Sequence, residues 1–411
     1  MTSTATEPTV TRTHRRVWIP AAFAMFAIAW GGNEFTPLLV MYKNSHGYSG
    51  PVVDILLFAY VLGIVPALLL GGPLSDRWGR ATVMRPAPVL AAIGSIILAC
   101  GADSVPLLFM GRVFSGIALG LAMAVGSSWV KELSSPPFET TSSATVGAGR
   151  AAMSLTAGFG IGAGVAGVLA QWAPLPDSLS YYINAALCLA AAIWLRGAPE
   201  TVYLSRANRG RLIDDLKVPS AAHRRFLFVV LPLAPWVFGA AASAYAVMPT
   251  LMSPHIGHAK IAYSALVTVV TLGAGFAIQR LGSRIDRPGG ARGAVVGLSM
   301  MTVGMAMAFV ASTVLNPWLT VVTGAVLGMG YGICLFAGLA EVQRIAGDRD
   351  LAGLTAVFYS LTYLGFAVPA VMAYLHQYIP DVSYPVMFAF GACASAACLV
   401  VIATNFSRHL D

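Results

Sequence analysis

Two residues of opposite charge, Glu34 and Arg112, lie within long apolar stretches of the sequence. A charged side chain inside such a stretch is costly and usually marks a functional site. Glu34 lies eight residues before Tyr42, and Arg112 lies eight residues after Ser104, each near one end of its stretch. At 1.5 Å per residue, both side chains are expected about 12 Å from that end, so they can pair if their helices are neighbours. An acid held by either a cation or a proton can couple proton movement to a second process.

Both charges also have plain structural explanations. Glu34 could reach water near the end of its helix and bind nothing, and Arg112 could donate only to backbone carbonyl groups. Two further acids near helix ends, Asp54 and Glu341, are expected to be solvated and to play no part in coupling. All seven histidines lie in tails, loops or near helix ends, so a histidine proton relay is not expected. No cluster of histidine, cysteine and carboxylate side chains suggests a metal, and no cofactor is expected.

The elements that carry these charges follow from composition. The chain has 411 residues, of which 57% are hydrophobic and 10% are charged, whereas a soluble domain carries about 25% charge. This excludes an ordinary soluble enzyme, a disordered protein and a disulfide scaffold. Apolar segments long enough to span a bilayer as helices, and too continuous for a β-barrel, lie at 17–40, 52–71, 87–101, 107–129, 151–170, 180–195, 226–248, 262–278, 293–312, 318–339, 354–375 and 385–404. Since several are shorter than a full span, their helices are expected to extend into the flanking loops.

Lys and Arg residues predict the orientation in the membrane. With the N-terminus inside, 22 of the 25 basic residues lie on that side and two on the other. Cytoplasmic loops of membrane proteins carry such an excess, so a cytoplasmic (inner) membrane location with both termini in the cytoplasm is expected. The net charge of +8 follows from this bias and gives no evidence for nucleic-acid binding.

The sequence repeats itself in two halves. The pattern G-x-x-x-D-R-x-G begins at Gly72 and again at Gly282, and two shorter matches follow at offsets of 208 and 206 residues. Parallel repeats of six spans are a transporter pattern. The predicted parts are a tail at 1–16, a helical bundle at 17–195, a central loop at 196–225, a second bundle at 226–404 and a tail at 405–411.

Two motifs resemble signatures of the major facilitator superfamily. The run G-P-L-S-D-R-W-G-R that begins at Gly72 resembles G-x-L-x-D-R-x-G-R-[KR] and departs from it at Ala81, while the run R-V-F-S-G from Arg112 resembles R-x-x-x-G. The resemblance implies an all-α fold of twelve transmembrane helices, with two pseudo-symmetric six-helix bundles rocking around a central cavity, and it links Arg112 to proton coupling.

The repeated loops are expected to form a cytoplasmic gate. An acid in such a loop can accept from a helix N-terminus or an arginine of a neighbouring element, which would clamp the halves shut on the inside. The expected gate residues are Gly72, Asp76, Arg77, Gly79, Arg80, Asp286 and Arg287.

Three glycines in the fifth segment, Gly158, Gly162 and Gly167, match a drug–proton antiporter motif, G-x-x-x-G-P-x-x-G-G. Ala163 replaces its proline and Ala166 one of its glycines. The glycines also predict close helix packing. Residues Gly162 to Gly167 also match the dinucleotide-binding pattern G-x-G-x-x-G. A dinucleotide site is excluded, because no strand precedes this pattern.

The favoured function is proton-coupled efflux of a small amphipathic or drug-like compound by a monomeric, non-enzymatic secondary transporter. The cavity segments are mostly apolar and contain one acid candidate. The alternatives are an uptake symporter or uniporter and, from another class, a non-transporting receptor or a membrane-embedded enzyme. The expected partners are the substrate, protons and the lipid bilayer. The candidate substrate contacts are Asn33, Trp30, Asn184, Trp236, Tyr245, Tyr331, Tyr359 and Tyr363.

Overall fold

The protein is described by a computed structural model that covers residues 16–139, 144–202, 216–286, 290–347 and 350–405. The described residues form twelve long helices and contain no strand. The helices are α1 Ile19–Asn44, α2 Gly50–Trp78, α3 Arg80–Cys100, α4 Val105–Leu133, α5 Ala144–Trp172, α6 Leu179–Leu195, α7 Phe226–His255, α8 Lys260–Gln279, α9 Arg292–Val314, α10 Pro317–Ile345, α11 Leu351–Tyr378 and α12 Tyr384–Asn405. Ten of them are long and apolar enough to cross a membrane, and α1 and the 17-residue α6 complete the set. The predicted all-α, twelve-helix membrane protein is confirmed.

Most helices extend beyond the apolar segments that predict them. The third segment was predicted at 87–101, whereas α3 begins at Arg80 and includes Arg85. Hydropathy marks only the part of a helix that lies in the hydrocarbon layer, and polar turns continue into the interface. This accounts for the short predicted segments.

The helices pack in two sets that mirror each other. In the first set α1 packs against α5, α2 against α4, and α3 against α4 and α6; in the second, α7 packs against α11, α8 against α10, and α9 against α10 and α12. Each contact recurs six helices later. Between the sets, α5 packs against α8 and α2 packs against α11. The two halves of the sequence repeat therefore pack their helices in the same pattern.

Gly120 and Gly328 end the two copies of the repeat with an offset of 208 residues, S-G-I-A-L-G and T-G-A-V-L-G, and both lie at close helix crossings. A Cβ atom at Gly120 on α4 would lie 2.6 Å from the carbonyl oxygen of Ile64 on α2. A Cβ atom at Gly328 on α10 would overlap the carbonyl oxygen of Thr271 on α8. Small residues let membrane helices approach this closely, which explains why both halves carry the motif.

We call the side where α1 begins the inner face and the opposite side the outer face. At the outer face, Lys43 lies 3.0 Å from Asp54 and 3.5 Å from the hydroxyl of Thr250 on α7. Asn44 donates to the hydroxyl of Ser253 at 3.1 Å. These contacts join the two sets of helices. Asp54 is only 2% exposed, so the expectation that it is solvated was wrong; Lys43 compensates its buried charge.

A second group of outer contacts joins α5 to the start of α8. The side chain of Gln171 donates to the carbonyl oxygen of His258 at 2.8 Å and accepts from the backbone N–H groups of Ile261 and Ala262. The first N–H groups of a helix have no partner within the helix, and here the amide oxygen of Gln171 accepts from two of them. The outer ends of α5 and α8 are therefore held together.

Candidate functional site

Arg112 lies on α4, buried at the meeting point of three helices. Its guanidinium carbon lies 4.7 Å from the ring centre of Phe35 and 4.2 Å from that of Tyr60. Its Nε donates to the carbonyl oxygen of Leu56 and its Nη1 to that of Gly32, both at 3.3 Å. Two aromatic faces and two carbonyl dipoles compensate a buried cation. The carbonyl contacts expected of a structural arginine are therefore present.

Glu34 lies on α1 with its side chain fully buried. Its Oε2 accepts a hydrogen bond of 2.8 Å from the hydroxyl of Ser180 on α6, which the sequence analysis did not single out. The indole nitrogen of Trp30, one turn earlier, interacts with the same carboxyl group, but neither it nor Glu34 Oε1 forms a hydrogen bond of good geometry among the described residues. The alternative in which Glu34 reaches the outer water was wrong.

Glu34 and Arg112 lie in one layer of the first bundle, because Arg112 contacts Gly32 and Phe35, which flank Glu34 on α1. Among the described ion pairs within 4.0 Å, none joins Glu34 to Arg112. Each charge has a separate partner in this conformation, Ser180 for the acid and the backbone for the base. The structure thus places the two at similar depth without direct contact.

The two asparagines proposed as substrate contacts lie among helices of the first bundle. Asn184 is fully buried, accepts from Ser95 at 2.7 Å and donates to the carbonyl oxygen of Ala27 at 2.8 Å. This position fits packing of α6 against α1 and α3 better than contact with a substrate. Asn33 donates to the carbonyl oxygen of Phe159 at 3.4 Å and accepts from Thr36 at 2.7 Å.

Three of the proposed tyrosines meet two phenylalanines in what we call the interface aromatic cluster: Phe238, Tyr245, Tyr331, Tyr363 and Phe366. The ring centre of Phe238 lies 4.7 Å from that of Tyr363, 6.1 Å from that of Tyr331 and 5.2 Å from that of Phe366. Tyr245 approaches Phe366 at 6.5 Å. The phenylalanines were missed because a phenylalanine in an apolar segment carries no distinguishing signal.

The interface aromatic cluster contacts the first bundle. The hydroxyl of Tyr363 on α11 donates to the sulfur of Met123 on α4 at 3.2 Å. Outside the cluster, Tyr359 packs against Phe358 at 5.9 Å and Trp236 is half-buried on α7. The contact between Tyr363 and Met123 places the cluster between the bundles.

The gate residues of the first loop contact their own bundle. Asp76 is exposed and lies 2.6 Å from Arg80, which also lies 3.1 Å from Glu132 at the inner end of α4. Glu200, after α6, accepts from the backbone N–H of Arg80 at 2.8 Å. Gly79 has φ of +96° and a Cβ atom there would overlap Glu200, so the turn requires glycine.

Gly72 and Arg77 also belong to the predicted gate. Gly72 and Arg77 are half-buried in the last turns of α2. The clamp between the halves that the sequence predicts is not among the described contacts of this conformation.

The second loop has an equivalent arrangement. Asp286 accepts from the backbone N–H of Gly293 at 3.0 Å and from Arg344 at 2.7 Å. Glu341, 209 residues after Glu132, binds Arg344 at 2.6 Å and Arg225 at 3.0 Å. Since Glu341 is 1% exposed, the expectation that it is solvated was wrong. Arg287 lies outside the described residues.

The fifth-helix glycines contact two different helices. A Cβ atom at Gly158 would overlap the carbonyl oxygen of Phe26 on α1, and one at Gly162 would lie 2.6 Å from that of Trp30. A Cβ atom at Gly167 would overlap the side chain of Ala265 on α8, in the other bundle. The glycines therefore let α5 approach the backbone of α1 and the methyl group of Ala265 on α8 closely.

The sequence profile of the Major Facilitator Superfamily matches residues 21–368, most of the chain. The chain belongs to the major facilitator superfamily. Solved structures of superfamily-like fold cover nearly all of it: a POT family transporter in complex with 5-aminolevulinic acid has a TM-score of 0.77 at 13% identity and 97% coverage of both chains. The nucleoside transporter NupG has a TM-score of 0.68 at 15% identity, covering 95% of this chain and 99% of that one. At such identities these likenesses concern the fold alone.

Curated relatives match this superfamily member over shorter regions. A triacylglyceride transporter of Mycobacteroides abscessus is 31% identical over 135 residues, which are 30% of this chain and 25% of the relative. The 3-(3-hydroxy-phenyl)propionate transporter of Escherichia coli is 32% identical over 25% of this chain and 26% of its own length. The quinolone resistance protein NorA of Staphylococcus aureus is 23% identical over 42% of both. The chain thus spans between a quarter and about two fifths of the relatives that it matches.

At the outer face of this superfamily member, His46 joins three loops. Its Nδ1 lies 3.0 Å from Asp103 and its Nε2 lies 3.1 Å from Asp177. Burial alone lowers the pKa of His46, but the hydrogen bonds to Asp177 and Asp103 outweigh it and raise the pKa above its ordinary value of 6.5. Only the protonated ring can donate to both carboxylates.

We expect the stability of the wild type to depend on His46 protonation. Because the folded-state pKa is raised, the stabilisation is fully present below about pH 6.5 and is lost as the pH rises through the folded-state pKa. The unfolding temperature in detergent should therefore fall less between about pH 6 and pH 8 in His46→Gln than in the wild type. His255→Gln, which changes an exposed histidine of the same face, should keep the wild-type slope. Equal slopes in all three proteins would refute the bridge.

Proposed function

We propose that this chain is a secondary transporter that exchanges a small amphipathic compound for protons and exports it. The observation that carries the proposal is the buried layer of the first bundle, in which the Glu34 carboxyl group has one hydrogen bond of good geometry and no ion pair among the described residues, while Arg112 lies at similar depth on α4. A buried carboxylate without a cation is costly, whereas its protonated form is not. Glu34 is therefore the proposed proton carrier.

The coupling step follows from the partners of Arg112. When Glu34 loses its proton, the guanidinium would be drawn towards the carboxylate, which would weaken its hydrogen bonds to the carbonyl oxygens of Gly32 and Leu56. Those carbonyls belong to α1 and α2, and α2 packs against α11 of the other bundle. Loss of the proton would thus alter a contact between bundles, which is what alternating access requires.

The side chains between the bundles support an amphipathic substrate. The tyrosines of the interface aromatic cluster are buried in this conformation. When the bundles rock, the cluster would present ring faces and tyrosine hydroxyls, and Met123 would add a polarizable thioether. Apolar walls with a few polar groups are typical of small-molecule sites. The name of the Staphylococcus aureus relative supports drug efflux, and that of the Escherichia coli relative supports the alternative, transport of an aromatic acid.

We further propose that the bundles at 17–195 and 226–404 rock as units in the cytoplasmic membrane, with both termini in the cytoplasm. The excess of basic residues at the inner face supports this orientation. In the opposite conformation, Asp76 would exchange its exposed contact with Arg80 for one across the inner face. The exposure of Asp76 supports that role, since a buried acid could not change partners as easily.

Proton movement in proteoliposomes tests the function. Full-length protein is reconstituted with a pH-sensitive dye inside, and a quinolone, a lipophilic cation, a neutral amphiphile, a dipeptide and 3-(3-hydroxyphenyl)propionate are added in turn. We expect an amphipathic compound to move protons in the direction opposite to its own flux. Empty liposomes and a protonophore are the controls.

The other outcomes separate the alternatives. Protons and compound moving in the same direction would indicate symport, and flux without protons would indicate a uniporter. No flux of any compound, in protein that remains folded, would overturn the transport proposal in favour of a receptor.

A further inference from the structure

A lateral cleft opens between α5 and α8, the two helices that meet across the bundles. It has a volume of about 460 Å³, within the range of sites for small ligands. Its walls include Ile161 and Gly160 on α5 and Gly273 and Phe276 on α8. Of the lining residues that the structure describes, Thr156 alone carries a side-chain hydroxyl and none is charged. The cleft is therefore suited to an alkyl chain.

The cleft is a wedge that is closed at the outer end. Gly167 meets Ala265 there, and Gln171 binds the first turn of α8. Towards the inner face, by contrast, a Cβ atom at Gly160 or Gly273 would meet no atom within 4 Å. The open part of the wedge lies in the half of the membrane next to the inner face.

A positive charge stands at the inner mouth of this wedge. Arg280, one turn beyond Phe276, holds its guanidinium carbon 5.7 Å from the ring centre of Phe276. Arg280 is exposed, and the exposed Arg284 follows one turn later. Within the described residues, neither arginine has an acidic partner within 4.0 Å. An apolar cleft that ends at an unneutralised guanidinium is complementary to an anionic amphiphile.

We propose that the cleft binds an anionic phospholipid from the leaflet at the inner face, with one acyl chain between α5 and α8 and the head group at Arg280. Basic pockets between transmembrane helices bind anionic head groups in this way, and burial of alkyl surface supplies the remaining affinity. The site is separate from the interface aromatic cluster and does not depend on what the chain transports.

The bound lipid favours the conformation seen here. The wedge can narrow only if the inner halves of α5 and α8 approach each other, and an acyl chain between them prevents this approach. A ligand that binds one of two conformations shifts the equilibrium towards it. Anionic lipid therefore holds the two bundles apart at the inner face.

Photo-crosslinking in lipid nanodiscs tests the site with the full chain. A phosphatidylglycerol with a diazirine in its acyl chain is compared with the matching phosphatidylcholine, and labelled residues are mapped by mass spectrometry. We expect phosphatidylglycerol to label Ile161 and Phe276 in preference to the exposed Ile193 on α6 and Val303 on α9. Arg280→Gln should reduce the preference for phosphatidylglycerol roughly fivefold.

A filling variant separates the cleft from bulk lipid. A Cβ atom at Gly160 would meet no atom within 4 Å, so the fold should tolerate Gly160→Leu while the leucine occupies the cleft and labelling of Phe276 falls. Ala190→Leu, at an exposed position on α6, should leave the labelling unchanged. If Ile193 and Val303 were labelled as strongly as Ile161 and Phe276, the label would come from bulk lipid only. If phosphatidylcholine labelled the cleft as strongly as phosphatidylglycerol, no head group would be recognised. Either result overturns the proposal.

Discussion

Glu34→Gln is expected to abolish substrate-driven proton movement in proteoliposomes, to the level of empty liposomes, while exchange of substrate across the membrane continues. Glutamine has nearly the same shape, and its amide can keep the hydrogen bond to Ser180. It cannot release a proton, so the step that would bring Arg112 to the acid is lost. The buried site loses no packing and gains no charge, and the protein should therefore fold.

Two measurements keep this prediction independent of folding. Counterflow of labelled substrate reports that the variant still binds and translocates, and the dye reports protons. Ser180→Ala serves as the control, because it removes one hydrogen bond to the carboxyl group but leaves the proton site, and it should retain part of the proton flux. Wild-type proton flux in Glu34→Gln would rule out Glu34 as the carrier.

Glu341→Ala is expected to lower the free energy of unfolding by about 3–5 kcal/mol. Glu341 is buried between Arg225, itself 4% exposed, and Arg344. Removing the acid takes away the ion pair of the Arg225 guanidinium, which is buried and would be left with less compensation of its charge. Chemical unfolding in detergent, followed by circular dichroism, measures the loss.

The repeat supplies a matched control for this prediction. Glu132 holds the equivalent position in the first bundle and also binds an arginine, but 34% of its side chain is exposed. Water can replace the lost partner there, so Glu132→Ala should cost much less, as exposed ion pairs do. Equal losses in the two variants would show that burial does not set the cost.

The number of helices and their repeat could be predicted because both depend on local pattern. Apolar runs predicted all twelve helices, and the matches at nearly one offset predicted that the second half repeats the first. The ends of the helices could not be predicted equally well, since α3 continues through polar residues that hydropathy assigns to a loop. The apolar composition of the chain thus predicts the fold class better than it predicts where each helix begins and ends.

The sequence did not predict the contacts that a side chain makes with residues of other helices. Asp54 and Glu341 were predicted to be solvated because each lies near a helix end, yet each is buried beside a cation from another helix, Lys43 or Arg225. Ser180 was missed for the same reason, since nothing in its own segment indicates that it binds Glu34. Depth along a helix can be read from spacing, but its rotation and its neighbours depend on tertiary packing.

The contact between Gly167 and Ala265 has a mechanical consequence. Where side chains of two helices interdigitate, they would have to separate before the helices could change their crossing angle. At this crossing a glycine meets a methyl group, so α5 and α8 can roll over each other while their outer ends stay together. The crossing can thus serve as the fulcrum of the molecule, and motion of a few degrees there becomes a much larger displacement at the inner face.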